Sequence, residues 1–238
     1  MAAVLNTNVA SMFNVNALNK SKHDLDVSLA RLSSGSRINT ARDDATGLVT
    51  AIGLDSKVRG SLQAQRNANE GVAKAQTNDS YLNQITENFQ RLREIAVQQG
   101  GTASGAEADA LNAENTRISG LITATGAVVV NADGGTVTGK GVAFTAASGT
   151  TVASIDTALT AVSTARANFG ADMVTYQSAA NNLGNSAVML AQQLSAIRDT
   201  DYAVETASMT KNNILQQAGT AALAQANQAP QNITSLLR

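Results

Sequence analysis

Residue types that usually carry chemistry or fill a globular core are scarce or missing in this chain. Among its 238 residues there is no cysteine and no tryptophan, with one histidine, one proline and 3% aromatic residues. The lack of cysteine excludes disulfides and thiolate chemistry, and a single histidine removes the usual ligand sets for zinc. We therefore predict no cofactor and no metal, and we expect no large aromatic-filled interior.

Charge and hydropathy exclude two more kinds of partner. The formal net charge is -1 and charged residues make up 15% of the chain, which leaves no polybasic surface for nucleic acid. No stretch approaches the roughly 18 apolar residues of a membrane span, so membrane insertion is not expected. Residues 1–19 contain no Lys or Arg, unlike a secretory signal peptide, so if the protein leaves the cell, we expect a route that cleaves no N-terminal signal.

The clearest positive signal is a heptad repeat of apolar and small residues, which is typical of a helix lying along a partner helix. Its longest run is Phe169, Met173, Tyr176, Ala180, Leu183, Ala187, Leu190, Leu194 and Ile197. The same phase passes Asp201 and resumes at Val204, Ser208, Lys211, Leu215 and Ala218. A second run is Val15, Leu18, Leu25, Leu29 and Leu32. Because one proline leaves little to interrupt helices, the sequence predicts a mainly α protein, with long antiparallel helices in a coiled-coil-like rod.

Helix breakers and caps set the expected boundaries. The first helix is expected to end at 33–36, and the others to span 44–99, 107–122, 154–197 and the C-terminal region. Asp43 and Asp44 stand where a helix begins, and carboxylates there complement the helix dipole. Asp199 and Asp201 fall where the long repeat is interrupted, which indicates a helix break with capping.

Residues 123–152 change to Val, Thr and Gly, and predict a small β-hairpin with strands at 127–131 and 141–145 around Asp133-Gly134. Within it, Gly134 to Lys140 has the spacing of a phosphate-binding loop. However, Gly141 stands where such a loop has a magnesium-binding Ser or Thr, and no helix follows to receive a phosphate. We therefore interpret this segment as part of the hairpin.

Two further features are weighed against simpler interpretations. His23 has no second imidazole and no cysteine to act with, and is interpreted as a solvated or interface residue. The segment Gln90 to Gln98 is either a solvated helix face with an Arg/Glu pair or a surface that another protein grips, and the pattern alone leaves both open. With no nucleophile indicated, the sequence predicts no catalytic residue and no enzyme.

Both ends of the chain carry long ordered motifs. The N-terminal ones are Val4-Leu5-Asn6-Thr7-Asn8, Arg31-Leu32-Ser33-Ser34-Gly35, Arg37-Ile38-Asn39, Asp43-Asp44-Ala45, Arg66-Asn67-Ala68-Asn69 and Gln90 to Gln98. The C-terminal ones are Asn182-Leu183-Gly184-Asn185, Glu205-Thr206-Ala207, Ile214 to Thr220, Ala224 to Gln228 and Leu236-Leu237-Arg238. Over roughly 1–122 and 154–238, the chain resembles bacterial flagellin.

The resemblance implies a structural subunit that self-assembles into the extracellular flagellar filament used for motility. Residues 1–43 and 199–238 would be terminal helices that form the inner core of the filament. Residues 44–122 and 154–198 would form the surrounding rod, and 123–153 would be a short hairpin insert in place of the family's variable outer domain. The self-assembly residues implied for the inner core are Leu5, Val15, Leu18, Leu25, Leu29, Leu32, Ile214, Leu215, Leu223, Ile233, Leu236 and Leu237.

The resemblance also implies a set of partners. The subunit would leave the cell by the flagellar type III route, with an export chaperone on the C-terminal helix, and would polymerise beneath a cap protein on a hook-associated junction protein. Toll-like receptor 5, an innate-immune receptor, would grip the arginine-rich helix, where Ile95 replaces the family's Leu. The receptor or protofilament contact surface implied is Gln90, Arg91, Arg93, Glu94, Ile95, Gln98 and Glu114.

Three other functions are considered. A hook-filament junction protein shares similar terminal helices and is the nearest alternative. A receptor-binding adhesin would use the insert at 123–152. A zinc protease of the kind that some flagellins carry needs an H-E-x-x-H helix, which a single histidine excludes.

Overall fold

The mainly α class is confirmed. The structure, a computed structural model, describes residues 7–131, 133–146 and 149–236, with helix but no side chains described over 229–236. Among these residues the chain forms α1 (Val9–Ser34), α2 (Ala45–Gln98), α3 (Ala106–Ser119), β1 (Ala127–Val129), β2 (Thr136–Thr138), α4 (Val152–Arg198) and α5 (Tyr202–Leu236). No helix in these ranges is long and apolar enough to cross a membrane.

The chain divides into two compact units. The terminal unit is formed by the residues up to Gly53 together with those from Gln193 onward, and the central unit is Leu54–Gln192. Each unit has its own organisation and is described separately.

In the terminal unit, α1 and α5 lie side by side in opposite directions. Near one end of the pair, the Asn8 amide donates to the carbonyl oxygen of Ala226 at 2.9 Å. Near the other, the hydroxyl of Tyr202 donates to the carbonyl oxygen of Leu32 at 3.1 Å. The pair is therefore antiparallel, as the sequence predicts.

Side-chain caps explain where the helices of the terminal unit begin. The Asn8 side chain accepts a hydrogen bond from the backbone of Ser11, so α1 begins at Val9, ahead of the predicted repeat. Asp44 accepts from the backbone of Gly47 at 2.8 Å, and Asp201 accepts from that of Ala203 at 2.9 Å. Both carboxylates satisfy backbone N–H groups that have no partner within the first turn. The capping predicted for Asp44 and Asp201 is confirmed.

The central unit is built around an apolar core shared by α2, α3 and α4. Its largest fully buried side chains include Phe89, Leu92, Ile155, Phe169 and Tyr176. α2 and α4 are antiparallel, because Arg93 pairs with Asp156 at 2.7 Å while Arg166 pairs with Asp79 at 2.9 Å. The start of α4 differs slightly from expectation: Thr151 and Ser154 exchange hydrogen bonds at the helix entrance, so the helix begins at Val152.

The predicted hairpin exists, but its second strand was placed too late. β1 pairs with β2 in antiparallel register, Val128 opposite Val137, whereas the prediction put the returning strand at 141–145. The reason is a tight turn, closed by a hydrogen bond from Gly134 N to Asn131 O at 3.3 Å, with Gly134 at a φ of 87°. Because that backbone region suits glycine, the chain reverses at once. The segment from Gly134 to Lys140, which has the spacing of a phosphate-binding loop, therefore contains the end of the turn and β2.

Candidate assembly surfaces

The inner seam of the terminal helix pair is made largely of small and polar side chains. Seven shielded positions of α1 recur in steps of three and four, and are Ser11, Asn14, Leu18, Ser21, Leu25, Ser28 and Leu32; Asp24, Val27 and Arg31 beside them are partly shielded as well. On α5 the positions with the same spacing are Glu205, Met209, Asn212, Gln216, Gly219, Leu223 and Ala226, and Ser208 beside Met209 is partly shielded as well. Gly219 allows a close approach, because a Cβ there would lie 3.3 Å from Leu18 Cδ1. This seam is a heptad seam with little apolar area to bury.

Large apolar side chains of the same two helices point away from the seam. Phe13 is 75% exposed, which is unusual for a phenylalanine in a folded protein. The exposed set comprises Val9, Met12, Phe13, Val15 and Leu29 on α1, with Tyr202, Val204, Ile214 and Leu215 on α5. Exposed apolar groups gathered in this way mark surfaces that bind other proteins.

The predicted inner-core residues therefore fall into three groups. Leu18, Leu25, Leu32 and Leu223 lie in the seam between α1 and α5. Val15, Leu29, Ile214 and Leu215 face outward. Leu5 and Leu237, together with the side chains of Ile233 and Leu236, lie outside the described residues.

The phase predicted for α5 is wrong by one residue. The prediction continued the repeat through Val204 and Leu215, whereas the shielded positions are Glu205 and Gln216. α4 ends at Arg198 and α5 begins at Tyr202, so the heptad phase restarts at the break. This shift places apolar Val204, Ile214 and Leu215 on the outer face.

A short non-helical segment closes one end of the terminal helix pair. Arg37 donates through its guanidinium to the carbonyl oxygen of Ile197 at 2.7 Å, and Thr200 N donates to Gly35 O at 3.0 Å. Asp43 accepts hydrogen bonds from the backbone and hydroxyl of Thr40 and from the backbone of Asn39, which lower the pKa of its carboxyl. His23 is exposed beside this segment, as predicted for a solvated histidine.

In the central unit, the predicted contact surface on α2 is exposed except for one residue. Gln90, Arg91, Arg93, Glu94 and Gln98 are exposed. Ile95 is only 5% exposed and belongs to the core, so its predicted place on the surface is wrong. It lies three residues after Leu92, on the inward side of the helix.

The same surface has an apolar centre that sequence reasoning missed. A shallow depression of about 520 Å³ is lined by Gln90, Arg93, Glu94, Val97 and Gln98. Val97 is 60% exposed within this polar rim. An exposed aliphatic group surrounded by arginine and amides is a common composition for a protein interface.

Carboxylates from three helices hold the two arginines of this surface. Arg91 donates to Glu107 of α3 at 2.8 Å and to Glu94 of α2 at 3.0 Å. Arg93 donates to Asp156 of α4 at 2.7 Å. These bonds raise the pKa of both guanidinium groups, with the Glu107 and Asp156 hydrogen bonds as the largest causes. Both arginines are therefore fixed in direction.

Glu114, the remaining residue of the predicted surface, lies on α3. Its carboxylate accepts two hydrogen bonds from Arg117, at 2.8 and 2.7 Å. The hydrogen bond from Arg117 is the main reason that the pKa of Glu114 is lowered. Glu114 is thus ionised and held on its own helix.

A buried carboxylate fixes the base of the hairpin. Asp172 of α4 accepts hydrogen bonds from Thr125 Oγ1 at 2.5 Å and from the backbone N–H groups of Lys140 and Gly141 at 2.7 Å each. Tyr176, one turn further on, donates to the carbonyl oxygen of Gly126 at 3.1 Å, and burial raises the pKa of its hydroxyl. The sequence analysis missed Asp172, although a carboxylate between Phe169 and Tyr176 on a heptad face was a usable signal.

Taken together, these features define a mainly helical structural protein whose terminal helices carry an exposed apolar outer face. The comparisons with known proteins agree. Residues 5–133 match the family model of the bacterial flagellin N-terminal helical region, and residues 152–237 match that of the bacterial flagellin C-terminal helical region.

Flagellins from two genera illustrate the similarity. The chain is 34% identical to the flagellin of Xenorhabdus nematophila over 319 aligned positions, which cover 100% of each protein. It is 44% identical to the flagellin of Salmonella muenchen over 141 residues, which are 56% of this chain and 28% of that protein. The phase 2 flagellin of Salmonella typhimurium is 43% identical over 141 residues and is likewise covered to 28%. The chain belongs to the bacterial flagellin family, and is a structural subunit of a flagellar filament.

Proposed function

We propose that this subunit polymerises through the outer faces of α1 and α5. The proposal rests on how polar and apolar side chains are distributed on these helices. Many small and polar side chains lie inside the pair, whereas Phe13, Val204 and Ile214 lie on its outside. Burying apolar surface stabilises by about 25 cal/mol per Å². The outer face therefore gains free energy only when another chain covers it.

Copies of the same chain are the partner that fits this face. Heterologous contacts that do not close generate an open helical filament, in which each copy both offers and receives the face. The individual contacts are small, but they recur along the whole polymer. Leu18, Leu25, Leu32 and Leu223 would hold the pair together within a subunit, while Val15, Leu29, Ile214 and Leu215 would contact its neighbours.

The remaining functional proposals rest on the family. The subunit would be exported by the flagellar type III route without a cleaved signal, with a chaperone on α5, and would assemble beneath a cap protein on a hook-associated junction protein. The exposed residues around Arg91 and Val97 would contact neighbouring subunits, and Toll-like receptor 5 would bind the same region. No catalytic step is needed for any of these roles.

A matched pair of valines tests the assembly proposal. Val204 on α5 is 62% exposed, and Val142 in the central unit is 63% exposed. We expect Val204→Ser to raise the critical concentration for polymerisation about fivefold or more, because a buried valine contributes roughly 1.5 kcal/mol or more. Val142→Ser should leave the critical concentration unchanged. Sedimentation and electron microscopy after heating and cooling would measure both.

A truncated chain gives a second test of the assembly proposal. Removing residues 233–238 should abolish polymer while the helical circular dichroism of the central unit persists. Normal filaments from the truncated chain, or equal effects of the two valine substitutions, would contradict the proposal.

A further inference from the structure

A row of side-chain amides crosses the contact between α2 and α3 in the central unit. Gln84 Nε2 donates to Asn88 Oδ1 at 3.3 Å, and Asn88 Nδ2 donates to Asn115 Oδ1 at 2.7 Å. Further along, Asn112 Nδ2 donates at 3.5 Å to the carbonyl oxygen of Gly149, which lies just before α4. Each amide in the row therefore donates in the same direction, from Gln84 towards Gly149.

The row is interrupted between Asn115 and Asn112, which lie three residues apart on α3. Asn115 is only 1% exposed. Among the described residues, Asn115 Nδ2 and Asn112 Oδ1 are buried and have no hydrogen-bond partner. One of these atoms is a donor and the other is an acceptor. Buried polar atoms of this kind are commonly satisfied by an internal water.

We propose that one internal water molecule binds between Asn115 and Asn112 and completes the row. The water accepts from Asn115 Nδ2 and donates to Asn112 Oδ1, so its polarity follows the direction of the other amides. A metal cation does not fit, because the amide N–H group repels it, and an anion is repelled by the amide oxygen. Residues three apart on a helix have Cβ atoms about 5–6 Å apart, which suits a bridge through one water.

The completed row fixes how α3 lies between α2 and the start of α4. Moving α3 by one turn along α2 would separate Asn88 from Asn115 and leave buried amide groups without partners. The far end of the row is constrained as well, since a Cβ on Gly149 would lie 2.9 Å from Ile155 Cγ1 on α4. The bound water therefore helps to select one register of α3, as a buried asparagine does in a coiled coil.

The test asks whether water rests against the Asn115 amide in the unpolymerised full chain. The chain is isotope-labelled on nitrogen, and cross-relaxation between the Nδ2 protons of Asn115 and the water resonance is recorded as NOE and ROE spectra. The relative signs of the two signals separate a slowly exchanging bound water from hydrogen exchange with the solvent. We expect Asn115 to show the signals of a bound water.

Asn78 of α2 is a matched control within the same chain. It is 3% exposed, and its amide is satisfied by Thr123: Nδ2 donates to Thr123 O at 2.6 Å, and Oδ1 accepts from Thr123 N at 3.4 Å. Asn78 should therefore show no bound-water signal. Equal signals at Asn78 and Asn115 would indicate general hydration of the central unit and would overturn the proposal.

Two variants separate the bridge from other sources of a signal. Asn112→Ala removes the acceptor, so the bound-water signal at Asn115 should be lost. Ser119→Ala removes a buried hydroxyl of α3, whose exchanging proton can imitate a water, and the signal should persist. A signal that survives Asn112→Ala, or that disappears in Ser119→Ala, would contradict the proposal.

The wild-type chain decides the matter even if a variant does not fold. No bound-water signal at Asn115 in the wild-type chain would overturn the proposal, because the amides would then be satisfied without water. Since none of these measurements involves a polymer, their outcome is independent of the assembly proposal.

Discussion

The helices α1 and α5 of the terminal unit bury much less apolar surface within the single chain than the helices of the central unit do. On α1 and α5, over the described side chains, the shielded stripe mixes leucines with small and polar residues, and the one buried residue is Ser28. In the central unit, Phe89 and Phe169 are fully buried in one apolar core, and Tyr176 is also fully buried. On α1 and α5, several of the large apolar side chains, such as Phe13, Val204 and Ile214, face outward instead.

This difference indicates that the two units draw their stability from different sources. The core of the central unit is complete within one chain. The terminal helices have a thin seam, and helices without tertiary burial are marginal in water. A partner that binds only the folded state stabilises that state. Because the terminal unit has little core of its own, we expect polymerisation to stabilise it more than the central unit.

The largest expected effect contrasts two phenylalanines, one from each unit. Phe169→Ala should lower the free energy of unfolding of the unpolymerised chain by about 3–5 kcal/mol, because it leaves a cavity in a fully buried site. Phe13→Ala should change it by less than about 0.5 kcal/mol, since the ring is largely in solvent. Urea denaturation followed by circular dichroism would measure both changes.

The comparison would fail if Phe13→Ala destabilised the free chain as strongly as Phe169→Ala. That result would mean that the outer face of α1 is already covered in the single chain. In filaments the order should differ, with Phe13→Ala raising the critical concentration although the free chain is unaffected.

A smaller effect is expected at the buried carboxylate of the central unit. Asp172→Asn places an amide where Lys140 and Gly141 direct their N–H groups, so at least one buried donor loses its acceptor. Such a loss costs about 1–3 kcal/mol. Urea denaturation would report the cost, and amide hydrogen exchange should quicken at Lys140 and Gly141. Asp133→Asn, at an exposed aspartate of the same hairpin, is the control and should be nearly neutral.

The sequence was most informative where one periodic pattern ran without interruption. The repeat on α4 from Phe169 to Ile197 is confirmed as a shielded stripe, and the boundaries of α2 agree to within a residue or two. A long helix samples its period many times, so small residues such as Ala180 and Ala187 still reveal the buried face.

The periodic pattern no longer predicted the structure where a helix ends or the chain turns. Asp201 restarts the helix, so the phase of α5 could not be carried over from α4. The return strand depended on how tightly the turn at Gly134 closes, which neighbouring residues decide. Ile95 was placed on the surface by a resemblance, although its spacing from Leu92 pointed inward. The spacing of Asp172 between Phe169 and Tyr176 could have marked the carboxylate, but its partners Thr125, Lys140 and Gly141 lie far away in sequence, and no local pattern identifies them.

The smallest expected effect concerns Asp43 in the terminal unit. Hydrogen bonds from Thr40 and Asn39 favour the charged carboxylate, so its pKa in the folded chain lies below the ordinary aspartate value. A lowered folded pKa means that this turn adds stability above the unfolded pKa, and that the contribution is lost as the pH falls through the folded value. Because the group is fully exposed, the effect on unfolding should be slight and the titration itself is the better readout.

NMR titration of the side-chain carboxyl of Asp43 should find the lowered pKa. Thr40→Val should raise this pKa only part of the way, since the hydrogen bond from the backbone N–H of Thr40 remains and is the largest cause. An Asp43 that titrates at the ordinary aspartate value would show that this turn does not form in the free chain, and that the terminal unit depends on its neighbours even at its best-capped end.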